Sequence, residues 1–217
     1  MPKHLRRVCA SGADDDVDSL KERRILKYAL HSFATQGYAA TGLRAIAAEA
    51  DVTAPLVNYY FKTKEALYQR VGEMVMNGLV EMLTASWQDD ASFTDILRTN
   101  LEMHLRFTEE FPEAIGFLFG LLYGPEQGRP AIDLGKYQEI ETRVRKAFER
   151  ATRSGELALH EGVTRADGVE LYQSMVMSMV SHNFKAPRFG KPAIEPRVAV
   201  RRLNVLLVGL GSLRSGG

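Results

Sequence analysis

Asn58, Tyr59 and Tyr60 stand side by side, and Lys62 and Lys64 follow within four residues. Each type suits one part of a nucleic-acid contact. A carboxamide pairs bidentately with the major-groove edge of adenine. Phenol hydroxyls donate to phosphate while their rings pack on sugar, and ammonium groups add a salt-dependent, sequence-independent attraction to the backbone. Just upstream, Ala54, Pro55 and Leu56 are small or apolar enough to approach base edges and touch thymine methyls. Arg44 has the length to reach either backbone or a guanine.

These groups work only if something aims them outward. Val57 and Phe61 lie at i, i+4 and claim the buried face of a short helix, which leaves Asn58 and Tyr59 turned away from the core. Thr53 is placed to cap that helix, and Pro55 is tolerated in its first turn because amides there have no intrahelical acceptor to lose. Before it, Leu43, Ile46, Ala47 and Ala50 mark a second short helix with Thr41 available as N-cap. Ile25, Leu26, Ala29, Leu30 and Phe33 mark a first helix that Gly37 stops. Three short helices with tight turns fit a helix-turn-helix module, whose recognition helix also points its positive dipole end at phosphate.

The span from about Arg24 to Tyr68 resembles the DNA-binding domain of the tetracycline-repressor (TetR/AcrR) family of bacterial regulators. The stretch "FATQGYAATGLRAIAAEADVTAPLVNYYFKTKEALY" carries the likeness. It has an aromatic after Gly37, Arg44-x-Ile46-Ala47, an aromatic pair before Phe61, and Lys64-Glu65 with Leu67 behind. The resemblance implies DNA contacts at Arg44, Thr53, Ala54, Pro55, Asn58, Tyr59, Tyr60 and Lys64; the residue chemistry adds Lys62. Ala54-Pro55 replace a frequent Lys-Gly, and Asn58 a frequent tyrosine, so the operator sequence is not inherited by analogy.

Charge agrees with this division. From Ser19 to Arg70 eight cations face four anions, a net +4, whereas the whole 217-residue chain carries +1. A single cysteine excludes an intrachain disulfide, and no apolar run is long enough to span a bilayer, so a cytoplasmic protein is expected. The expected organisation is all-α: a flexible arm over 1–18, the DNA-binding domain over 19–66, and a helical effector-binding and dimerisation domain over 67–217. The last helix is expected over about Glu195 to Leu213. No period-2 strand is expected.

By resemblance, the second domain binds a small molecule and forms a homodimer. The chemistry supports pairing independently, because one module contacts few base pairs and a two-fold dimer presents two recognition helices at groove spacing. Leu171, Val176 and Val180, with Leu203, Leu206 and Leu210, are the expected interface. Met103, Phe107, Phe117, Phe119, Tyr123 and Tyr137, joined by Met175 and Met179, are the expected pocket for a hydrophobic or amphipathic effector. The five histidines lack metal-ligand spacing, and no nucleophile motif is present, so neither cofactor, metal site nor enzymatic activity is expected. The expected function is a sequence-specific transcriptional regulator, a homodimeric repressor released from its operator by an effector. The alternative is a helical small-molecule-binding protein or enzyme with no DNA role; the missing catalytic constellation and the clustered charge weigh against it.

Overall fold

The computed structural model describes residues 17–85, 87–88, 90–126 and 128–213, so the expected N-terminal arm lies outside them up to residue 16. In chain order the helices are α1 (Val17–Ala40), α2 (Leu43–Glu49), α3 (Ala54–Phe61), α4 (Lys64–Thr84) and α5 (Phe93–Glu110). They continue with α6 (Pro112–Tyr123), α7 (Gly135–Ser154), α8 (Arg165–Lys185) and α9 (Pro196–Leu210). A short 3-10 turn covers Pro187–Phe189, and two three-residue strands, β1 (Leu157–Leu159) and β2 (Gly211–Leu213), pair antiparallel. The chain is all-α apart from that ribbon.

Two compact units divide it, one of residues up to 81 with 111–136, the other of 82–110 with 137 onward. In the first, Ile25, Leu26, Ala29, Leu30 and Phe33 of α1 are buried together with Ile46 and Ala47 of α2 and Val57 and Phe61 of α3. Each large side chain so buried contributes about 1.5–3 kcal/mol. α1 breaks at Gly37, whose φ of 79° and ψ of 171° are open to glycine and strained for other residues. The break corrects one expectation: Thr41 does not cap α2. Its buried hydroxyl turns back to the Gly37 carbonyl at 2.7 Å, an acceptor the break has orphaned, and α2 starts at Gly42 with no side-chain cap. α6 packs along α1, with His31 Nδ1 2.8 Å from Glu113 Oε1 and the Phe117 ring 5.1 Å from that of Tyr68.

In the second unit α5, α8 and α9 pack on one another. Phe93 of α5 meets Phe148 of α7 edge to face at 4.8 Å. Thr164 caps α8 through a reciprocal pair with Asp167, whose carboxyl is held below its ordinary range by the Thr164 hydroxyl and amide. The final helix ends at Leu210, three residues sooner than its apolar run suggests. Gly211 is the reason: a Cβ there would lie 2.1 Å from the Ala158 carbonyl oxygen, so only glycine lets β2 close on β1.

Candidate nucleic-acid interface

α3 carries its functional side chains on the face opposite its buried residues. Val57 is 0% exposed, whereas Tyr59 is 77% exposed and Asn58 is also open to solvent. Pro55 and Thr53 are exposed at the N-terminal end, and Ala54 is half-buried. Thr53 is the N-cap residue, extended at φ −81° and ψ 146°, but its side chain makes no cap hydrogen bond. The expected hydroxyl cap is absent: Pro55 has no amide hydrogen to offer it, and the Leu56 amide donates to the Thr53 carbonyl. Arg44 is exposed on α2, and Tyr60 is half-buried with its ring 5.4 Å from that of Tyr59.

The turn from α3 to α4 places the cations. Lys62 is exposed and ends α3 at φ 57° and ψ −51°, a sparsely populated positive-φ conformation that costs a non-glycine residue about 1–3 kcal/mol. Thr63 then caps α4, its Oγ1 accepting from the Ala66 amide at 3.1 Å. Lys64 folds back onto α1: its Nζ donates to the Ala39 carbonyl at 3.3 Å and lies 4.4 Å from the Tyr38 ring centroid. Tyr38 Oη donates to Glu65 at 2.8 Å. Backbone hydrogen bonding at the start of α4, helped by the Tyr38 and Thr63 hydroxyls, keeps the Glu65 carboxylate below its ordinary range. Burial, then the Glu65 contact, pushes the Tyr38 phenol up to about 12. Sequence reasoning placed Lys64 at the rim as a phosphate contact. The fold uses it to fasten the C-terminal end of α1 to the start of α4, with Tyr38 and Glu65, both part of the quoted sequence pattern, as partners. Arg24 pairs with Asp51 at 3.2 Å across the α2–α3 turn, an exposed contact worth little by itself.

The expected effector residues fall in both units. Phe117, Phe119 and Tyr123 belong to the first: Phe117 is buried, Phe119 stacks on Tyr123 at 5.8 Å, and Tyr123 is 69% exposed. Tyr123 is therefore largely open to solvent. Met103, Phe107, Tyr137, Met175 and Met179 belong to the second, where Phe107 and Met179 are fully buried and the others half-buried.

Inside that second unit Tyr137, expected in the pocket, borders a polar cluster whose Asn100 and Tyr172 the sequence did not single out. Tyr172 is buried, with its hydroxyl 2.7 Å from the Leu97 carbonyl and 2.8 Å from Asn100 Oδ1. Asn100 is buried too, and its Nδ2 has no protein partner. One turn on, His104 Nδ1 is 2.8 Å from the Asn100 carbonyl oxygen; a carbonyl only accepts, so Nδ1 carries the proton. Nε2 is left as a solvent-shielded lone pair with no partner. Burial lowers the imidazole pKa to about 4, against the opposing pull of that backbone hydrogen bond. Tyr137 lies edge-on to the ring at 6.4 Å, its phenol raised to about 12 by burial and by the charge of Glu141.

Of the expected interface residues, Val176, Val180, Leu203 and Leu210 are buried within the protomer and serve its own core. Leu206 is half-buried, and Leu171 is 49% exposed. The apolar residues α9 turns outward are Val205 at 70% and Val208 at 67%, one or two residues off those the periodicity selected and so on another face. A shallow apolar groove runs between Met175 of α8 and Arg201, Arg202, Val205 and Leu206 of α9. Among the described residues no cluster of three potential metal ligands exists, and no helix is long and apolar enough to cross a membrane.

Residues 25–71 match the family model described as bacterial regulatory proteins, tetR family. The HTH-type transcriptional regulator RutR of Escherichia coli strain K12 is 32% identical over 107 residues, 49% of this chain and 50% of RutR. The match thus spans about half the length of that curated relative. Among solved structures, AibR in complex with isovaleryl coenzyme A and operator DNA superposes with a TM-score of 0.69 at 18% identity, covering 88% of this chain and 99% of AibR. A tetR-family regulatory protein from Rhodococcus RHA1 gives 0.66 at 19% identity, over 89% of this chain and 98% of its own. At these identities the likeness establishes the shared fold.

Proposed function

The chain belongs, through residues 25–71, to the tetR family of bacterial regulatory proteins, and from that premise we propose that it is a sequence-specific DNA-binding transcriptional regulator. It acts as a homodimeric repressor that a small molecule releases from its operator. The observation that carries the reading is the outward face of α3: exposed Thr53 and Pro55 at its N-terminal end, an exposed carboxamide and an exposed phenol in its second half, and exposed Lys62 beyond them. Asn58 and the small residues Ala54 and Pro55 read base edges. Arg44, Thr53, Tyr59, Tyr60, Lys62 and Lys64 hold the phosphate backbone. AibR, of the same fold, has been captured with operator DNA and an acyl-CoA, which supports a division between DNA reading and ligand binding here.

Dimerisation uses the outward side of α8 and α9, where Leu171, Val205 and Val208 leave apolar surface exposed. The effector binds in the second unit and works through α4, which starts at Lys64 beside the recognition helix and whose last turn, from Met82, belongs to the second unit. Such a ligand shifts DNA affinity only by its differential affinity for the two head positions. Selection from a random duplex library followed by gel-shift titration tests the reading. A defined operator bound with steep salt dependence supports it; no attraction to any duplex at low ionic strength refutes it.

A further inference from the structure

We propose that the Asn100–His104 edge of α5, bounded by Tyr137 and Tyr172, recognises an uncharged ligand bearing a hydroxyl group on an apolar body. The inference deepens the effector reading and rests on it: it supplies the chemistry of the effector's polar end.

The two groups sit one helical turn apart on the face of α5 that also buries Leu97, Leu101 and Phe107. An apolar side chain at either place would continue that stripe, whereas a buried polar atom without a partner is destabilising. Their complementary requirements define the ligand. His104 Nε2 is an acceptor, because Nδ1 holds the ring proton against the Asn100 carbonyl. Asn100 Nδ2 is a donor when the single proton of the Tyr172 hydroxyl goes to the amide oxygen at 2.8 Å and not to the competing Leu97 carbonyl at 2.7 Å. A hydroxyl carries the complement of each, a proton for Nε2 and a lone pair for Nδ2. An anion meets only one of the two conditions, since it accepts from Nδ2. It has no proton for Nε2, the imidazole there is neutral, and the titratable neighbours named by their contacts are the Tyr137 and Tyr172 phenols and the negative Glu141. Val176 and Met179, also buried in this unit, fit an apolar remainder. A water molecule is the rival occupant of the same two groups.

The test uses the full-length, nitrogen-15-labelled protein and three probes of similar size: phenol, anisole and benzoate. The His104 imidazole nitrogens are followed by NMR, assigned by their loss in His104→Phe. Phenol is expected to move the Nε2 resonance saturably while Nδ1 stays protonated. Anisole, which lacks only the donor, should bind at least about tenfold more weakly, as should phenol to His104→Phe and Asn100→Leu. Benzoate should leave Nε2 unmoved. His104→Phe removes an unpaired buried nitrogen, whereas Asn100→Leu also takes away an acceptor of the Tyr172 hydroxyl; the wild-type titration decides the matter should either fail to fold. Equal binding of anisole and phenol, phenol binding that leaves Nε2 unmoved, or a held water that phenol does not displace each overturns the proposal. A parallel titration against selected operator DNA separates the two readings. Phenol that saturates His104 without altering DNA affinity sustains the site and removes effector control. A molecule that releases DNA while His104 stays silent sustains effector control and overturns the site.

Discussion

Acid should destabilise this protein through His104 before its carboxylates titrate. In the unfolded chain the imidazole titrates near 6.5; in the fold burial brings it to about 4. Above the upper value both states hold a neutral ring. Between the two, the unfolded state binds a proton that the folded state refuses, so stability falls as pH falls, by up to about 1.4 kcal/mol per pH unit. The whole window amounts to roughly 3 kcal/mol, complete below about pH 4. That is a large share of a typical folding free energy of about 5–15 kcal/mol. Denaturant unfolding of wild type and His104→Phe at about pH 7 and about pH 4.5 isolates the effect, because the other histidines and the carboxylates cancel in the difference. The wild type should lose about 2–3 kcal/mol more than the variant over that range. Equal losses would mean that the ring accepts its proton inside the fold, and the burial argument for Nε2 would fail.

Asn58→Ala should cost about 1–3 kcal/mol of operator affinity and relax preference at one base pair, read by gel shift on single-position operator variants. Lys62→Ala should weaken binding evenly across sequences and flatten the salt slope by about one unit; it is a cleaner probe than Lys64→Ala, which also unfastens α1 from α4. Gly37→Ala forces a Cβ into φ 79°, ψ 171° and should destabilise the first unit by about 1–3 kcal/mol in thermal unfolding. Val208→Asp should yield a monomer by sedimentation with unchanged helical circular dichroism, because that side chain is 67% exposed in the protomer; a dimer that persists moves the interface elsewhere.

The local chemistry of the first three helices was legible in the sequence. The i, i+4 pair Val57–Phe61 fixed which face of α3 is buried, and Asn58 and Tyr59 had to follow outward. Thr41 and Thr53 do not cap for separate reasons: the Thr41 hydroxyl is turned to the Gly37 carbonyl, and at Thr53 the amides a cap would bind are missing at Pro55 and already bonded to the Thr53 carbonyl at Leu56. The strand pair was invisible because its two halves are more than fifty residues apart and each is three residues long. Periodicity found α9 but not its outward side, since a helix apolar nearly all round offers no polar stripe to orient it.

Asn100 was readable as a polar residue on the apolar stripe of α5, and His104 as its i+4 neighbour. Only packing revealed that Tyr172, seventy-two residues further on, engages one edge of that amide and leaves the other without a partner. Residue order sets which faces are apolar, because that follows from spacing along a helix. Which polar atoms end up without partners is decided by elements distant in the chain, and no spacing rule reaches that far.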